Sequence, residues 1–375
     1  MRAVVVGGGA FGACAALELS KRGARVVLVE AGAIPNALAE STDVSKAVRL
    51  DYGADALYVA EMERAIESWR AWNDAFGEVV FHETGAMFVS REAMREGTFE
   101  HDSFVTLTAR GHALTRVDAR AIEAQSSLRG FVDGYFNPIG GWAESARVVE
   151  LVASAARDRG VVVRENARAA RIETRGGRAA SVVLDGGDAI EADAFVLACG
   201  GWIGELLPEI ASCFHTVAQP VFHVAASAAQ LPVFGADIAR TGWYGFPAHR
   251  DGFVKIANHG AGRPLASRDD NRTLRADEAS RVRDFLRESI PMLADAEVLA
   301  ARACVYCDTA DGDFFVAPHP EIANLVVATG GSGHGFKFAP RVGEWVSRAL
   351  DGDVIDRFRW RTNATGSAGD RARPK

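Results

Sequence analysis

An α/β fold, α+β overall, is what this sequence predicts: a dinucleotide-binding layer joined to a second, largely antiparallel sheet. Three observations carry that expectation. A β-branched run at residues 2–6 passes directly into Gly7-Gly8-Gly9-Ala10-Phe11-Gly12, an Ala- and Leu-rich stretch follows to residue 22, and a second apolar run closes on Glu30. Two more apolar runs, FVLACGG at 195–201 and LVVATGG at 325–331, both end in paired glycines. Between them, residues 216–302 alternate short strand-like runs with one helical stretch at 276–289, the pattern of an antiparallel layer.

Each element of the first unit has a physical reason. Gly7 suits the tight turn after a strand, Gly9 lets a pyrophosphate approach a helix N-terminus, and Gly12 lets that helix pack on the strand. Glu30 stands 18 residues past Gly12, where a carboxylate accepts from ribose hydroxyls. This unit does not separate NAD from FAD. Beyond it a helix is expected from about residue 55, with Tyr58, Met62, Ile66, Trp69 and Phe76 at helical spacing as core. Residues 79–134 read as short strands and turns with one helix near 119–126, and 144–159 as an amphipathic helix. Hairpins are expected at Gly176-Gly177 and Gly186-Gly187, and a last helix from near Pro340 to Leu350. The expected division places residues 1–78, 140–212 and 318–361 in the nucleotide-binding domain and 79–139 and 213–317 in a substrate domain. Residues 362–375, small, polar and charged, are expected to be a disordered tail.

Bulk properties narrow the partners. A chain of 375 residues, 48% hydrophobic and 24% charged, can bury two cores. A net charge of −7 without a Lys/Arg run argues against nucleic acid or an anionic membrane and for small molecules. No apolar leader or span is visible, so a cytoplasmic protein is expected. Five scattered cysteines make no disulfide framework and no metal set; only Cys304 and Cys307 look like a local device.

Six segments, in order along nearly the whole chain, carry a resemblance: GGGAFG at 7–12, SKAVRLDYG at 45–53, WYGFP at 243–247, VKIANH at 254–259, CVYCDTADGDF at 304–314 and GSGHGFKF at 331–338. Together they closely resemble the monomeric sarcosine oxidase group, with N-methyltryptophan and pipecolate oxidases, within the D-amino-acid-oxidase-like flavoproteins. The resemblance implies a Rossmann-like FAD-binding domain of glutathione-reductase type and FAD attached covalently through Cys304. Around that cofactor it implies Gly7, Gly9, Ala10, Phe11, Gly12, Glu30, Ala31, Ser41, Thr42, Lys46, Arg168, Gly200, Gly201, Trp202, Gly331, Gly333, His334, Gly335, Phe336 and Lys337. It assigns Arg49 and Lys337 to a substrate carboxylate, Lys255 to dioxygen, and Tyr244, His259 and His334 to the pocket. Cys307 and Ala310 depart from the family pattern, and Lys46 stands where relatives usually carry an arginine.

These roles are chemically reasonable. A thiolate is the nucleophile that flavin attachment needs, and Arg302, Lys337 and Lys255 are candidate cations beside it. An anion entering an apolar pocket needs a guanidinium fork or an ammonium to offset desolvation. Lys255 would stabilise the negative charge formed as dioxygen is reduced. Trp243, Tyr244, Phe246 and Phe336 are candidates to wall an amine. The expected function is FAD-dependent oxidation of a secondary, N-methyl or cyclic amino acid to an imine, with dioxygen giving hydrogen peroxide and no dedicated base. A flavin-dependent tailoring oxidase or dehydrogenase for a larger amino acid is the alternative. A NAD-dependent or non-catalytic dinucleotide-binding protein is a further one.

Overall fold

The computed structural model describes residues 1–226, 229–270 and 272–362. The tail expected at 362–375 lies outside the described residues, apart from Thr362. Its organising element is a six-stranded sheet in the order Phe315–Pro318, Leu325–Thr329, Ala194–Leu197, Arg2–Val6, Arg25–Val29, Val162–Arg164. All neighbours run parallel except Phe315–Pro318, which is antiparallel to Leu325–Thr329. A parallel sheet must be covered on both faces, and the first strand shows how. Val5 joins the core formed with the helices Ala10–Lys21, Ser145–Asp158 and Ala339–Leu350. Val4 and Val6 point the other way, into a core with Val182, Leu184, Ile203 and Ile210. That second cover includes a three-stranded antiparallel flap, Ala169–Arg175, Arg178–Leu184 and Ala189–Glu191, whose two turns are the expected hairpins.

The two glycine-ended strands are direct neighbours, with Phe195 opposite Leu325. Both therefore finish at the same edge of the sheet, beside the turn after Arg2–Val6. The strand Phe315–Pro318 crosses the division expected between 317 and 318, because backbone pairing with Leu325–Thr329 draws it into the six-stranded sheet.

A nine-stranded sheet forms the other layer. It runs Arg263–Pro264, Phe214–Ala225, Phe253–Asn258, Trp243–Gly245, Val233–Ala236, Ala86–Ser90, Asp133–Asn137, Thr115–Asp118, with Val298–Thr309 also paired to Phe214–Ala225. Among the described residues its only parallel pair is Val233–Ala236 with Ala86–Ser90. The segment expected to be mostly strands contains one more helix, Phe99–Ala109, which buries Phe99, Ser103 and Leu107. Its aromatic and β-branched content suggests strand, but that four-residue spacing and tertiary packing decide for helix. The long helix Ala56–Phe76 starts where expected, because Asp55 accepts from the Tyr58 amide as N-cap. A small antiparallel sheet, Lys46–Arg49, Gly140–Ala143 and Phe81–His82, presents Lys46 and Arg49 between the layers.

Candidate active site

Two cavities meet between these layers. The larger, about 480 Å³, starts at the glycine turn and passes Glu30, Ala31, Ser41, Arg168, Gly200 and Trp202 before reaching Lys46, Tyr306, Gly333, Gly335 and Phe336. The smaller, about 70 Å³, is lined by Arg49, Phe88, Phe234, Tyr244, His259, His334 and Lys337 among others, and shares Lys46, Tyr306, Gly333 and Phe336 with the larger. A long cavity with a short side pocket at one end is the result.

The turn that opens the long cavity depends on absent side chains. A Cβ at Gly12 would lie 1.7 Å from the Gly7 carbonyl oxygen, so only glycine lets the helix Ala10–Lys21 begin so close to the sheet. Glu30 crosses this end and accepts from Gly8 N at 2.6 Å, Gly32 N at 3.0 Å and Asn36 Nδ2 at 2.8 Å. Ser41 Oγ accepts from Ala10 N at 3.2 Å, joining the loop to the helix N-terminus. An elongated cradle with a helix N-terminus, a carboxylate and glycine-lined strand ends fits a dinucleotide with its pyrophosphate at the turn.

Most residues expected at the cofactor line this cavity: Gly7, Gly9, Ala10, Phe11, Glu30, Ala31, Ser41, Lys46, Arg168, Gly200, Trp202, Gly331, Gly333, Gly335 and Phe336. The others take different places. Gly12 acts by close packing, Gly201 donates its amide to Glu40 Oε1 at 2.9 Å, and Thr42 gives its carbonyl to Arg302 Nη2 at 2.8 Å. His334 and Lys337 belong to the side pocket. Sequence reasoning missed Glu40, Cys199, Val305, Tyr306 and Arg272 in the long cavity and Phe88, Val233, Phe234 and Ile238 in the pocket. Tyr306 stood inside CVYC and was findable there. Val305 stood there too and Cys199 in the glycine-ended run 195–201, whereas the others sit in stretches with no motif.

The side pocket is organised around Tyr52. Lys337 Nζ donates to Tyr52 Oη and to the His334 carbonyl, each at 3.2 Å. Tyr52 Oη lies 2.9 Å from His334 Nδ1, and His334 Nε2 lies 3.0 Å from the Gly312 carbonyl. A carbonyl only accepts, so Nε2 carries a proton and donates to it, and the phenol oxygen accepts from the ammonium. Both ring nitrogens of His334 are thereby committed, which makes it a positioning residue for Lys337. The Tyr52 ring also faces both cations, with Arg49 Cζ 5.0 Å and Lys337 Nζ 5.2 Å from its centroid. Arg49 donates to the Asp51 carbonyl and faces Phe88 and Phe99 as well. Burial raises the Asp51 carboxyl above the usual range, against the nearby Arg49 and the Tyr135 hydroxyl that donates to it at 2.7 Å.

Across the pocket Tyr244 Oη lies 3.5 Å from Tyr306 Oη, and burial pushes the Tyr244 phenol well above its ordinary value. The expected aromatic wall is half right. Trp243 turns to the face opposite Tyr244, as strand alternation requires, and stacks on Phe285 at 4.8 Å, while Phe246 packs edge-on against Tyr244 at 5.8 Å and lies under Lys255 at 4.7 Å.

A second cationic cluster surrounds Cys304. The sulfur lies 3.8 Å from Lys46 Nζ and is 2% exposed. Lys255, also 2% exposed, lines neither cavity; its Nζ donates to Asp43 Oδ2 at 2.6 Å and to the Ser45 carbonyl. Burial lowers the Lys255 ammonium, and Asp43 opposes that shift. Burial works against the Asp43 charge too, yet Lys255, Lys46 and Arg302 together hold its carboxyl below the usual range. Cys307 does not share this site. Three residues along a strand means the opposite face, and Cys307 packs with Phe214 and Phe315, its sulfur 3.6 Å from Thr329 Oγ1. The two cysteines are therefore separate features, and Lys337 is not among the described neighbours of Cys304.

Residues 2–349 match the profile of the DAO family, described as FAD dependent oxidoreductase. The chain belongs to that family. It is 26% identical to the monomeric sarcosine oxidase of Bacillus sp. (strain B-0618), over 93% of this chain and 92% of that protein. It is 27% identical to the N-methyl-L-tryptophan oxidase of Yersinia pestis (strain Pestoides F), over 91% and 92% of the two chains. L-saccharopine oxidase of Schizosaccharomyces pombe is 26% identical over 97% and 94%. In fold it resembles the fructosamine oxidase Amadoriase II of Aspergillus fumigatus, with TM-score 0.83, 22% identity and coverage of 98% and 94%. It also resembles NikD, an amino acid oxidase of nikkomycin biosynthesis, with TM-score 0.84, 19% identity and coverage of 96% and 98%. Membership decides between NAD and FAD, which the first thirty residues left open. No helix among the described residues is long and apolar enough to cross a membrane.

Proposed function

We propose that this FAD-dependent oxidoreductase oxidises the CH–NH bond of a small secondary, N-methyl or cyclic amino acid to an imine, with dioxygen as final acceptor. The observation that carries the proposal is the side pocket, where Arg49 and Lys337 converge on Tyr52 beside the long cavity. Bound FAD supplies the two-electron acceptor for a hydride, and its reoxidation by dioxygen gives hydrogen peroxide.

The protein's part is placement and electrostatics. Arg49 and Lys337 hold the substrate carboxylate, with Tyr52 and His334 fixing the ammonium. Tyr244, Tyr306, His259 and Phe336 close the pocket around the amine. Two cations and low polarity there favour the neutral amine, the form able to release hydride, so no residue need act as base. At the other cluster Cys304 is the residue that would hold FAD covalently. Lys46 Nζ stands 3.8 Å from the sulfur that must act as nucleophile. Lys255 is the residue proposed to attract the developing charge on dioxygen; after Asp43 is counted, Lys46 and Arg302 keep that region positive.

The small pocket favours a compact amino acid over the larger one that a tailoring enzyme would take. A panel of N-methyl and cyclic amino acids, each paired with its analogue lacking the carboxylate, tests this by oxygen uptake and peroxide formation. Turnover confined to the carboxylated members supports the proposal; equal turnover of both series contradicts it.

A further inference from the structure

Glu40 lies in the long cavity and belongs to no motif, yet its carboxylate is held in place. Oε1 accepts from Gly201 N at 2.9 Å and Oε2 from Cys307 N at 3.3 Å. It sits between the two glycine-ended strands: a Cβ on Gly200 would come within 2.5 Å of Oε1, and one on Gly331 within 3.9 Å of Oε2. The two glycine-ended strands thus open a slot that this acid fills, with its carboxyl on the cavity wall.

The charges that face it leave it poorly matched. On Val298–Thr309, Asp308 repels it and the Cys307 thiol adds no cation; on Lys46–Arg49, Lys46 attracts it; Arg272, which also feels its charge, and Arg268 line the same cavity. Burial pushes its carboxyl up to about 7, against the two backbone donors and Lys46. The ligand of this cavity, FAD, brings a pyrophosphate with two negative charges. Placing them in the same low-polarity space favours the neutral acid further.

We infer that Glu40 is a cofactor-binding residue that takes up a proton when FAD binds, and then donates a hydrogen bond from its carboxyl to an acceptor on the cofactor. No electron or bond transfer is involved: solvent supplies the proton, and the two backbone amides still hold the carboxyl. The same group makes FAD loading weaken as pH rises. Below pH 7 the acid is already protonated and binding is indifferent to pH. Above it, each bound FAD must draw in a proton, and affinity falls up to about tenfold per pH unit.

The test uses the full chain carrying Cys304→Ser, in which no thioether can form, freed of flavin and titrated calorimetrically with FAD. Repeating the titration at pH 7.5 in buffers of different ionisation enthalpy counts protons. The expected result is net uptake of a measurable fraction of one proton, from a carboxyl near 7 that becomes fully protonated. Adding Glu40→Gln, which donates without titrating, should keep FAD binding, remove that uptake and flatten the dependence between pH 7 and 8.5. No uptake in the parent, or the same uptake with Glu40→Gln, overturns the inference. If Glu40→Gln does not fold, the infrared difference spectrum of the parent decides. A protonated-carboxyl stretch must develop on FAD binding at pH 7.5, and its absence overturns the inference. The outcome is independent of the substrate proposal, since no amine enters the experiment.

Discussion

Two lysines of this chain are buried almost equally, Lys255 at 2% exposed and Lys337 at 5%, and they do different things. Lys255 donates to the Asp43 carboxylate and lines neither of the two cavities. Lys337 donates to a phenol and a carbonyl and lines the side pocket. An ammonium matched inside the protein stabilises a local charge pattern, here the one around Cys304. An ammonium that lines a cavity is placed to meet something that enters. Burial alone does not separate these roles; the partner and the cavity do.

The largest effect expected on this contrast is all-or-none. Native protein precipitated in acid should keep yellow colour in the pellet, whereas Cys304→Ser should release all flavin to the supernatant. Colour wholly released by both removes the covalent link while leaving FAD binding intact.

Next comes the Lys255 side. Asp43→Asn leaves an ammonium buried without its carboxylate, an effect of about 3–5 kcal/mol on unfolding measured with denaturant. Asp43→Asn with Lys255→Met should recover much of that loss, and failure to recover means the pair is not the unit it looks to be. The pH dependence follows the same pair. Folding lowers the Asp43 carboxyl, so its contribution is full above the ordinary carboxyl value and is lost as pH falls from there toward the lowered one. Wild type should therefore lose stability in acid more steeply than the double variant.

A smaller effect is expected on the Lys337 side. Tyr52→Phe keeps the ring beneath both cations and removes the hydroxyl that holds Lys337, a net loss of about 1 kcal/mol. That corresponds to a rise of about fivefold in KM for a carboxylated amine, with kcat nearly unchanged. A fall in kcat at constant KM would assign the hydroxyl to the chemical step.

Much of this was legible in the sequence, for physical reasons. The glycine turn, Glu30 and the two glycine-ended strands were readable because close approach permits no substitute side chain. The loop GGSGHGFKF announced a buried lysine, since two phenylalanines flank it. What stayed hidden depends on contacts between distant segments. Nothing local pairs Asp43 with Lys255, 212 residues away. Nothing local says that Tyr52 bridges Arg49 and Lys337, or that Glu40 enters the long cavity. The apparent Cys304 and Cys307 device dissolved because spacing suggests proximity, whereas a strand sends residues three apart to opposite faces. The helix Phe99–Ala109 was overlooked because its composition favours strand and only its packing shows otherwise.

The central claim is that Lys337 and Arg49 hold a carboxylate. It is tested most directly by measuring kcat/KM for a carboxylated amine and its carboxylate-free analogue, in wild type and in Lys337→Ala. Removing a charge-assisted contact of about 1.5–3 kcal/mol should cut the carboxylated amine by about 10- to 100-fold and leave the analogue nearly unchanged. An equal fall for both substrates would contradict the claim and make Lys337 a structural lysine.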